Sequence, residues 1–495
     1  MTATLHKLTA GDGYTYLTRQ VAAADSTERG RDSLADYYSA KGESPGRWLG
    51  SGLASLADTG GRMIPTETVT KLWTVPESSP VSEAQMTALF GEGLHPNAVD
   101  ITDYQLARGA HERAAISAAR LGTPFAIRSG ETKFQQALAV AYREHNTDAG
   151  NHWAAAIEPD VRATIRTMVA RERFAEEHGR PPADDRELSG YIARNTRAAT
   201  TAVAGYDVTF SPVKSVSTLW AVAPLEVAET IEQAHDAAVA DALAFLEERA
   251  AFTRTGHDGI AQVDTTGLIG AAFTHRDSRA GDPDLHTHVA ISNKVAHVDA
   301  NGAQRWLALD GQPLHRVMVA ASELYNTRLE AHLGQRLGLQ FHEVAPPGRG
   351  KRAIREIDGV STELMGRWSS RRAAIEARTA ELSKRFQADH GREPTNVEAI
   401  ALAQQATLES REAKHEPRSV AEQRQTWRAE AIDVLGSTRD LTQMLGVALA
   451  ATPARPAPAI DAQWVDDRAR DAITTVALSR STWQRHHVLA EAQRI

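Results

Sequence analysis

Alternating or continuously apolar runs mark the predicted strands of this 495-residue chain. The segment ATLHKL near the N-terminus alternates briefly, and YDVTF, GLIGAAFTH and LHTHVAISNKV follow in the middle of the chain. Because side chains of an extended strand point to opposite faces in turn, these runs predict strands with one packable face. The pair Asn301-Gly302 predicts a hairpin turn that joins KVAHVDA to AQRWLAL.

Helical periodicity and breaks in composition predict the rest of the organisation. The run PLEVAETIEQAHDAAVADALAFLEERA predicts a long amphipathic helix, and another helix is expected to begin at Tyr14, after the turn Gly11-Asp12-Gly13. A Pro/Ser-rich connector, TVPESSPVSE, precedes helical segments rich in Ala and Arg. We therefore divide the chain into four segments. These are an N-terminal core segment at 1–58, a mostly helical insertion at 59–203, a second core segment with α/β pattern at 204–345 and a helical charged extension at 346–495.

Composition excludes several kinds of chemistry but adds little to the prediction of the fold. With no cysteine, the chain cannot use disulfides, Fe-S clusters, cysteine zinc sites or a cysteine nucleophile. No segment approaches 18 apolar residues and the N-terminus has no signal-peptide pattern, so we expect a cytoplasmic protein without a membrane segment. The net charge of -8 gives no support to electrostatic coating of nucleic acid, so any role on DNA must rest on a specific site.

Three histidines form the first candidate site. In LHTHVAISNKV, alternation puts His286 and His288 on one face and Thr287 on the other, and His275 lies shortly before them. Three neutral imidazoles leave coordination positions open on a divalent ion, as a catalytic metal site requires. The same alternation puts His275 on the face of Phe273, so we expect it beyond the strand end or turned by a bulge. The alternative is that the histidines are merely structural.

A carboxylate and a lysine lie in GYDVTFSPVKSVS. Asp207 is predicted on the polar face of its strand, where it can orient a metal-bound imidazole or accept a proton from a nucleophile. The alternative is a strand-end aspartate that bonds to a neighbouring turn. Lys214 and Ser215 begin a turn into a helix, where a cation and backbone N–H groups could hold phosphate.

Tyrosines are concentrated at the beginning of the chain. Four of the nine lie within the first 38 residues, although aromatic anchors that pack a terminal helix would also explain the bias. With a pKa near 10, about one phenol in a thousand is ionised at neutral pH. The reactive phenolate therefore has a free-energy deficit of roughly 4 kcal/mol. A metal-polarised phosphodiester and a nearby carboxylate would reduce that deficit and make a tyrosine a nucleophile. The four candidates are Tyr14, Tyr16, Tyr37 and Tyr38.

In combination, these motifs resemble the MobF (TrwC/TraI-like) conjugative relaxases of the HUH endonuclease superfamily. The resemblance is carried by GDGYTY with LADYY, then GYDVTFSPVKSVS, then FTHRDSRAGDPDLHTHVAISNKV, in that order. Further matching stretches are RWLGSGLASL, LFGEGLHPNA and the segment from RWLALDG through LYNTRLEAHLGQRLG. The resemblance implies an α+β fold, a central antiparallel β-sheet palm with packed helices. It implies that the strands of Asp207 and of the histidine pair are neighbours at the sheet centre.

The resemblance also implies a function. Such an enzyme nicks single-stranded DNA at the nic site of an origin of transfer, leaves a free 3′-hydroxyl and a 5′-phosphotyrosyl link, and later rejoins the strand. It acts with other relaxosome proteins and a coupling protein. Carried onto this chain, the family pattern assigns Mg2+ or Mn2+ to His275, His286 and His288, and proton acceptance or histidine support to Asp207.

The tyrosines and the basic residues receive roles by the same resemblance. Tyr14 is our first choice as nucleophile, with Tyr16 close behind. Lys214, Arg276 and Arg279 lie near the predicted site and are candidates for contacts to DNA, and Tyr37 or Tyr38 could serve a second strand transfer.

The chain departs from the family pattern in three ways. Thr15 separates Tyr14 from Tyr16, whereas the family has adjacent tyrosines, so we expect only one of the two to reach the phosphate. Residues 100–200 have no recognised counterpart, and we expect them to contact DNA or another transfer protein. No Walker A motif is present, but STWQRHHVLAEAQRI resembles the approach to a helicase, so we expect the sequence to be part of a longer protein.

Two other functions stay open at this point. A rolling-circle replication initiator of the same superfamily would act at a replication origin instead of a transfer origin. A non-catalytic DNA-binding scaffold would bind DNA without a divalent ion and without cleavage.

Overall fold

The protein is described by a computed structural model at residues 3–17, 45–60, 72–125, 133–150, 157, 159–196, 202–344, 353–410, 418–450 and 460–494. Two compact units are present, one formed by Met1–Pro124 with Val203–Ile495 and the other by Phe125–Ala202. The second unit is thus shorter than the predicted insertion at 59–203, because residues 59–124 belong to the first unit. The four-segment division otherwise stays a prediction.

The first unit begins with short elements around the N-terminal strand. A 3-10 turn at Asp12–Tyr14 follows the first strand, and a 3-10 segment at Ser51–Gly60 follows the second. A capping box at Ser82 and Gln85 starts helix α1, which continues as a π-helical turn at Thr87–Glu92. The elements are β1 (Ala3–Thr9), β2 (Arg47–Leu49), α1 (Glu83–Met86), α2 (Ala98–Ala107) and α3 (Glu112–Ala118).

The second unit consists of three helices in its described part. Their apolar faces enclose a small aromatic core that includes Phe134, Phe174 and Tyr191. The helices are α4 (Lys133–Asp148), α5 (Pro159–His178) and α6 (Asp185–Thr196).

The remainder of the first unit contains both strands and helices. These elements are β3 (Val203–Phe210), α7 (Lys214–Val222), α8 (Leu225–Ala250), β4 (Phe252–Thr255), β5 (Ala261–Asp264), β6 (Gly270–Asp277), β7 (Pro283–Ser292), β8 (Lys294–Val298), β9 (Gln304–Ala308) and α9 (Gly311–Leu337). The chain continues with β10 (Phe341–Val344), β11 (Ile354–Ile357), α10 (Thr362–Arg367), α11 (Ser370–His390), α12 (Asn396–Glu409), α13 (Val420–Leu435), α14 (Thr438–Ala448), α15 (Ala462–Ser479) and α16 (Arg485–Ala492). None of the described helices is both long and apolar enough to cross a membrane.

An antiparallel five-stranded sheet in the order β1-β3-β7-β6-β2 lies at the centre of the first unit. One face is apolar: Val208 and Val289 are fully buried and belong to the same core as Leu246 of α8 and Leu333 of α9. Alternation leaves the opposite face of β3 and β7 for polar side chains. The predicted α+β fold with a central antiparallel sheet is confirmed. The strands of Asp207 and of the histidine pair are neighbours, as predicted.

Two smaller predictions have different outcomes. The hairpin at Asn301-Gly302 is confirmed, because β8 pairs antiparallel with β9 and Gly302 has a φ of 77°. The predicted border at residue 345 falls inside a structural element, because β10 and β11 pair antiparallel on either side of it.

A glycine in β3 provides a stability test of the sheet. A Cβ on Gly205 would collide with the carbonyl oxygen of Ile291 and meet the Phe90 ring at 3.0 Å. We expect Gly205→Ala to destabilise the first unit by about 1–3 kcal/mol, because backbone cannot move aside without breaking the β3–β7 ladder. The matched control is Gly446→Ala in α14, where no heavy atom lies within 4 Å. It should stabilise by about 1 kcal/mol, the difference in helix propensity. Thermal unfolding midpoints check both, and equal midpoints would contradict the packing described.

Candidate active site

The three histidines lie together on the polar face of the sheet. His275 of β6 is paired directly with His286 of β7, and His288 is paired with Phe273. The ring centroids of His275 and His286 are 5.4 Å apart, and each is 5.3 Å from the centroid of His288. The imidazoles therefore form a nearly equilateral cluster.

The expectation for His275 was wrong. It lies within β6, and the register shifts only between His275 and Asp277. Residues that are paired directly in an antiparallel sheet point to the same face. Sharing a face with Phe273 therefore brings His275 to His286 and His288, and no bulge is needed to turn it.

Hydrogen bonds to the Nδ1 atoms hold two of the imidazoles in place. The buried Asp207 carboxylate contacts His288 Nδ1 at 2.8 and 3.0 Å, and Thr209 Oγ1 lies 3.0 Å from the same nitrogen. His286 Nδ1 lies 2.6 Å from the carbonyl oxygen of Asp284, to which it can donate. An imidazole whose Nδ1 donates to the protein presents Nε2 as its acceptor or ligand.

His286 has the charge state that a metal-binding imidazole requires. Burial above all, opposed by the charge of Asp284 and reinforced by the neighbouring histidines His275 and His288, lowers its pKa to about 4. The ring is therefore neutral at physiological pH, and a neutral imidazole is the form that binds a metal ion.

The spacing of the histidines fits one shared cation. An ion at the centre of the cluster would lie about 3.1 Å from each ring centre, and a metal–nitrogen bond of about 2.1 Å accounts for most of that distance. Within the described parts of the chain, however, no trio of His, Asp or Glu side chains already has its donor atoms placed around an ion. The spacing and the donor chemistry of the three imidazoles therefore fit a metal ion.

Of the two candidate tyrosines that lie in the described part of the chain, Tyr16 reaches this cluster. Its hydroxyl donates a hydrogen bond to Asp207 Oδ2, and its ring meets the His288 ring edge-on with centroids 6.0 Å apart. The residue is 36% exposed, so a molecule outside the protein can approach the ring. Partial burial of the hydroxyl, followed by the charge of Asp207, raises the pKa of Tyr16. The structure thus links a phenol, a carboxylate and an imidazole in one chain of hydrogen bonds.

Tyr14, the first choice as nucleophile from the sequence, has contacts outside this cluster. Tyr14 is only 4% exposed, and its hydroxyl contacts Thr87 Oγ1 at 2.7 Å and Glu83 Oε1 at 3.3 Å. Burial, opposed by the Thr87 hydrogen bond, raises its pKa. Residues two apart around a helical turn point in different directions, so Tyr14 packs against α1 while Tyr16 faces the sheet. Tyr37 and Tyr38 lie outside the described residues.

The phosphate site predicted at Lys214 and Ser215 is already filled by protein groups. Glu356 of β11 accepts a hydrogen bond from Ser215 N at 2.9 Å, and Ser215 Oγ accepts one from Ile357 N at 2.8 Å. Lys214 Nζ donates to the carbonyl of Pro283 at 2.7 Å. Burial lowers the pKa of this lysine, against the opposing effect of nearby carboxylates. Lys214 therefore anchors the beginning of β7, and a carboxylate occupies the helix start.

The two arginines predicted to contact DNA lie beside the histidine hairpin. Arg276 is directed away from solvent, with 14% of its side chain exposed and its Nε 3.6 Å from Glu232 Oε1 of α8. This ion pair does not fit the predicted DNA contact. Arg279 is half-buried in the turn between β6 and β7.

Sequence reasoning missed two groups that hold the imidazoles. Thr209 could have been found, because alternation puts it on the face of Asp207, and in the sheet it is paired directly with His288. The carbonyl of Asp284 gave no signal, because every residue carries a carbonyl and only the folded start of β7 aims this one at His286.

Comparison with known proteins gives one family. The model of the TrwC relaxase family matches residues 10–434. The multifunctional conjugation protein TraI of Escherichia coli is 34% identical over 179 residues, which are 34% of this chain and 9% of TraI. TraI of Escherichia coli strain K12 is 33% identical over 180 residues, 34% of this chain and 10% of that protein. The match thus spans about a tenth of these relatives.

Solved structures of relaxases are also similar. A copper-bound conjugative relaxase TrwC in complex with oriT DNA is 20% identical, with 87% of this chain and 98% of that chain covered and a TM-score of 0.45. A TrwC complex with a 27-mer DNA comprising the recognition hairpin and the cleavage site is 30% identical, with 52% and 89% covered and a TM-score of 0.38.

Proposed function

Because the chain belongs to the TrwC relaxase family, we propose that it nicks one strand of DNA at an origin of transfer, with Tyr16 as the nucleophile. The observation that carries this proposal is the hydrogen-bonded chain from the Tyr16 hydroxyl through Asp207 to His288. A phenol beside a carboxylate base and an imidazole cluster has the parts needed for attack on a phosphodiester.

The proposed step is a transesterification in which charge and atoms balance. The Tyr16 oxygen attacks the scissile phosphorus while its proton passes to Asp207, the acceptor of its hydrogen bond. A bond forms between the tyrosine oxygen and phosphorus, and the bond from phosphorus to the 3′-oxygen breaks. The leaving 3′-oxygen takes up a proton from solvent, and Asp207 returns the phenol proton to solvent, so that no net proton is consumed. The products are a free 3′-hydroxyl and a 5′-phosphotyrosyl link, which conserves the energy needed for later religation.

His275, His286 and His288 would hold the divalent cation, Mg2+ or Mn2+. Bound there, the cation would polarise a non-bridging phosphate oxygen and stabilise the charge that develops in the transition state. Asp207 would then have two roles, because the same carboxylate orients the His288 ring and faces the phenol of Tyr16.

The proposed partners follow from family membership. Single-stranded DNA at the nic site is the substrate, and other relaxosome proteins and a coupling protein are the proposed protein partners, with the cytoplasm as the proposed location. Arg279 stays a proposed DNA contact. Tyr37 and Tyr38 stay proposed for a second strand transfer.

An adduct assay tests the function. The protein is incubated with Mn2+ or Mg2+ and labelled single-stranded oligonucleotides that tile the DNA flanking its gene, and SDS-resistant protein–DNA complexes are resolved by gel. We expect one oligonucleotide to give an adduct and a product with a free 3′-hydroxyl. Binding of DNA without any adduct would favour the scaffold function. An adduct confined to a replication origin would favour the replication initiator.

Substitution of Asp207 tests the proposed base. Asn keeps the size of the side chain but removes its negative charge, so it cannot take the proton of Tyr16. We expect Asp207→Asn to lower the nicking rate by about 100- to 10,000-fold, the usual contribution of a positioned general base. Single-turnover nicking rates with saturating DNA provide the measurement. A rate within threefold of wild type would remove Asp207 from the mechanism.

A further inference from the structure

We infer that His235 of α8 is a positioning residue. From the opposite face of the sheet, it fixes the positions of the three clustered histidines through Thr287 and Thr274. The inference rests on the proposed function, because its effect is exerted on the cation site. His235, Thr287 and Thr274, together with Tyr325 of α9, form one polar network within a largely apolar core.

The network is continuous and closed to solvent at its centre. His235 is fully buried, with Nδ1 2.7 Å from the hydroxyl of Tyr325 on α9 and Nε2 2.8 Å from Thr287 Oγ1. Thr287 Oγ1 in turn lies 2.9 Å from Thr274 Oγ1. Two helices and two strands are therefore joined by three hydrogen bonds.

The position of the network in the sheet connects it to the histidines. Thr287 lies between His286 and His288 in β7, and Thr274 immediately precedes His275 in β6. Thr274 and Thr287 are a directly opposed pair, adjacent to the pair of His275 and His286. Each histidine of the cluster is thus covalently one residue away from a threonine whose hydroxyl is held on the other face.

The protonation state of His235 determines which groups of the network donate hydrogen bonds and which accept them. Burial lowers the pKa of this imidazole to about 4, so the ring is neutral, with one nitrogen donating and the other accepting. One of its hydroxyl partners must therefore donate to the ring and the other must accept from it. Such bonds fix rotation as well as distance, which undirected apolar packing in the same core, for example of Ala234, Ala238 and Val289, cannot do.

The same layer could have been filled by apolar side chains. Buried polar groups are tolerated only where their hydrogen bonds are made, and here the helices provide the partners. A valine at 287 would match threonine in shape and would pack in the same place. What a valine cannot do is hold β7 against α8 and β6 by directed bonds, so the role of the hydroxyl can be tested separately from packing.

The test compares Thr287→Val with Thr287→Ser in the full chain. Isothermal titration with Mn2+ alone measures cation affinity, and single-turnover nicking gives the maximal rate and the half-saturating DNA concentration. We expect Thr287→Val to weaken Mn2+ binding by about tenfold, the lower end of the effect of removing outer-shell partners of metal ligands. The maximal rate should fall while half-saturation by DNA stays within twofold. Thr287→Ser should restore Mn2+ affinity to within threefold of wild type.

A matched control separates this role from simple loss of stability. Thr253 of β4 is also buried and donates to the carbonyl of Ala308 at 2.7 Å, away from the histidine strands. Thr253→Val should lower the thermal midpoint and leave Mn2+ affinity unchanged. Wild-type Mn2+ affinity in Thr287→Val, or an equal loss in Thr253→Val, would overturn the inference alone. Absence of Mn2+ binding by the wild-type protein would overturn both the inference and the proposed cation site.

Discussion

Tyr16→Phe is expected to abolish the covalent adduct, whereas Tyr14→Phe is expected to keep it. The Tyr16 hydroxyl donates to Asp207, whereas the Tyr14 hydroxyl is held by Thr87 and Glu83. Removal of a nucleophile typically lowers turnover by about a million-fold, so the adduct should fall below detection. Phosphorimaging of SDS-resistant complexes formed with the cleaved oligonucleotide provides the measurement.

The two variants control each other, because each removes one hydroxyl and keeps the ring. Tyr14→Phe should keep adduct formation within about threefold but lower the free energy of unfolding by about 1 kcal/mol, since a buried hydrogen bond is lost. An adduct that disappears in Tyr14→Phe and persists in Tyr16→Phe would restore the first prediction from sequence. Persistence in both would move the nucleophile to Tyr37 or Tyr38, or away from tyrosine.

Removal of the cation is expected to have the second-largest effect. Chelation by EDTA should lower the nicking rate by at least about 1,000-fold, because a bound cation contributes several kcal/mol of transition-state stabilisation. Excess Mn2+ or Mg2+ should restore the rate. His286→Ala should reproduce the loss and resist rescue by either metal, since one ligand is then missing.

DNA binding provides the control for cation removal. Affinity for single-stranded DNA depends on phosphate and base contacts spread over several nucleotides, so chelation should change it by less than about fivefold. His297→Ala is the matched variant, because His297 of β8 bonds to the carbonyl of Asp264 outside the central sheet. It should nick at the wild-type rate. Full activity in EDTA, or an equal loss in His297→Ala, would contradict a catalytic cation at the histidine cluster.

Local alternation predicted much of the candidate site. It put Asp207 and the pair His286 and His288 on polar strand faces, and the sheet brings those faces together because β3 and β7 are neighbours. Alternation within one strand does not show which face a partner strand presents. That is why His275 was assigned to the wrong surroundings until the pairing of His275 with His286 was known.

The remaining errors concern contacts between distant parts of the chain. The choice between Tyr14 and Tyr16 depends on where α1 packs, and α1 begins 69 residues after Tyr14 at the partner Glu83. The start of α7 looked open to phosphate because its cap, Glu356, is 141 residues away from Ser215. His235 gave no sequence signal, since a histidine in an apolar helix stripe predicts burial but not a bond to Thr287.

The most direct test of the account is to identify the tyrosine that carries DNA in the wild-type adduct. Nuclease trimming, trypsin digestion and fragment-ion mass spectrometry would locate the nucleotide remnant, because residues 8–19 form one tryptic peptide with both Tyr14 and Tyr16 and residues 32–41 form another with Tyr37 and Tyr38. We predict the remnant on Tyr16 after the first cleavage. A remnant on Tyr14, or on the peptide 32–41 alone, would contradict the joint action of Tyr16, Asp207 and the histidine cluster at one phosphorus atom.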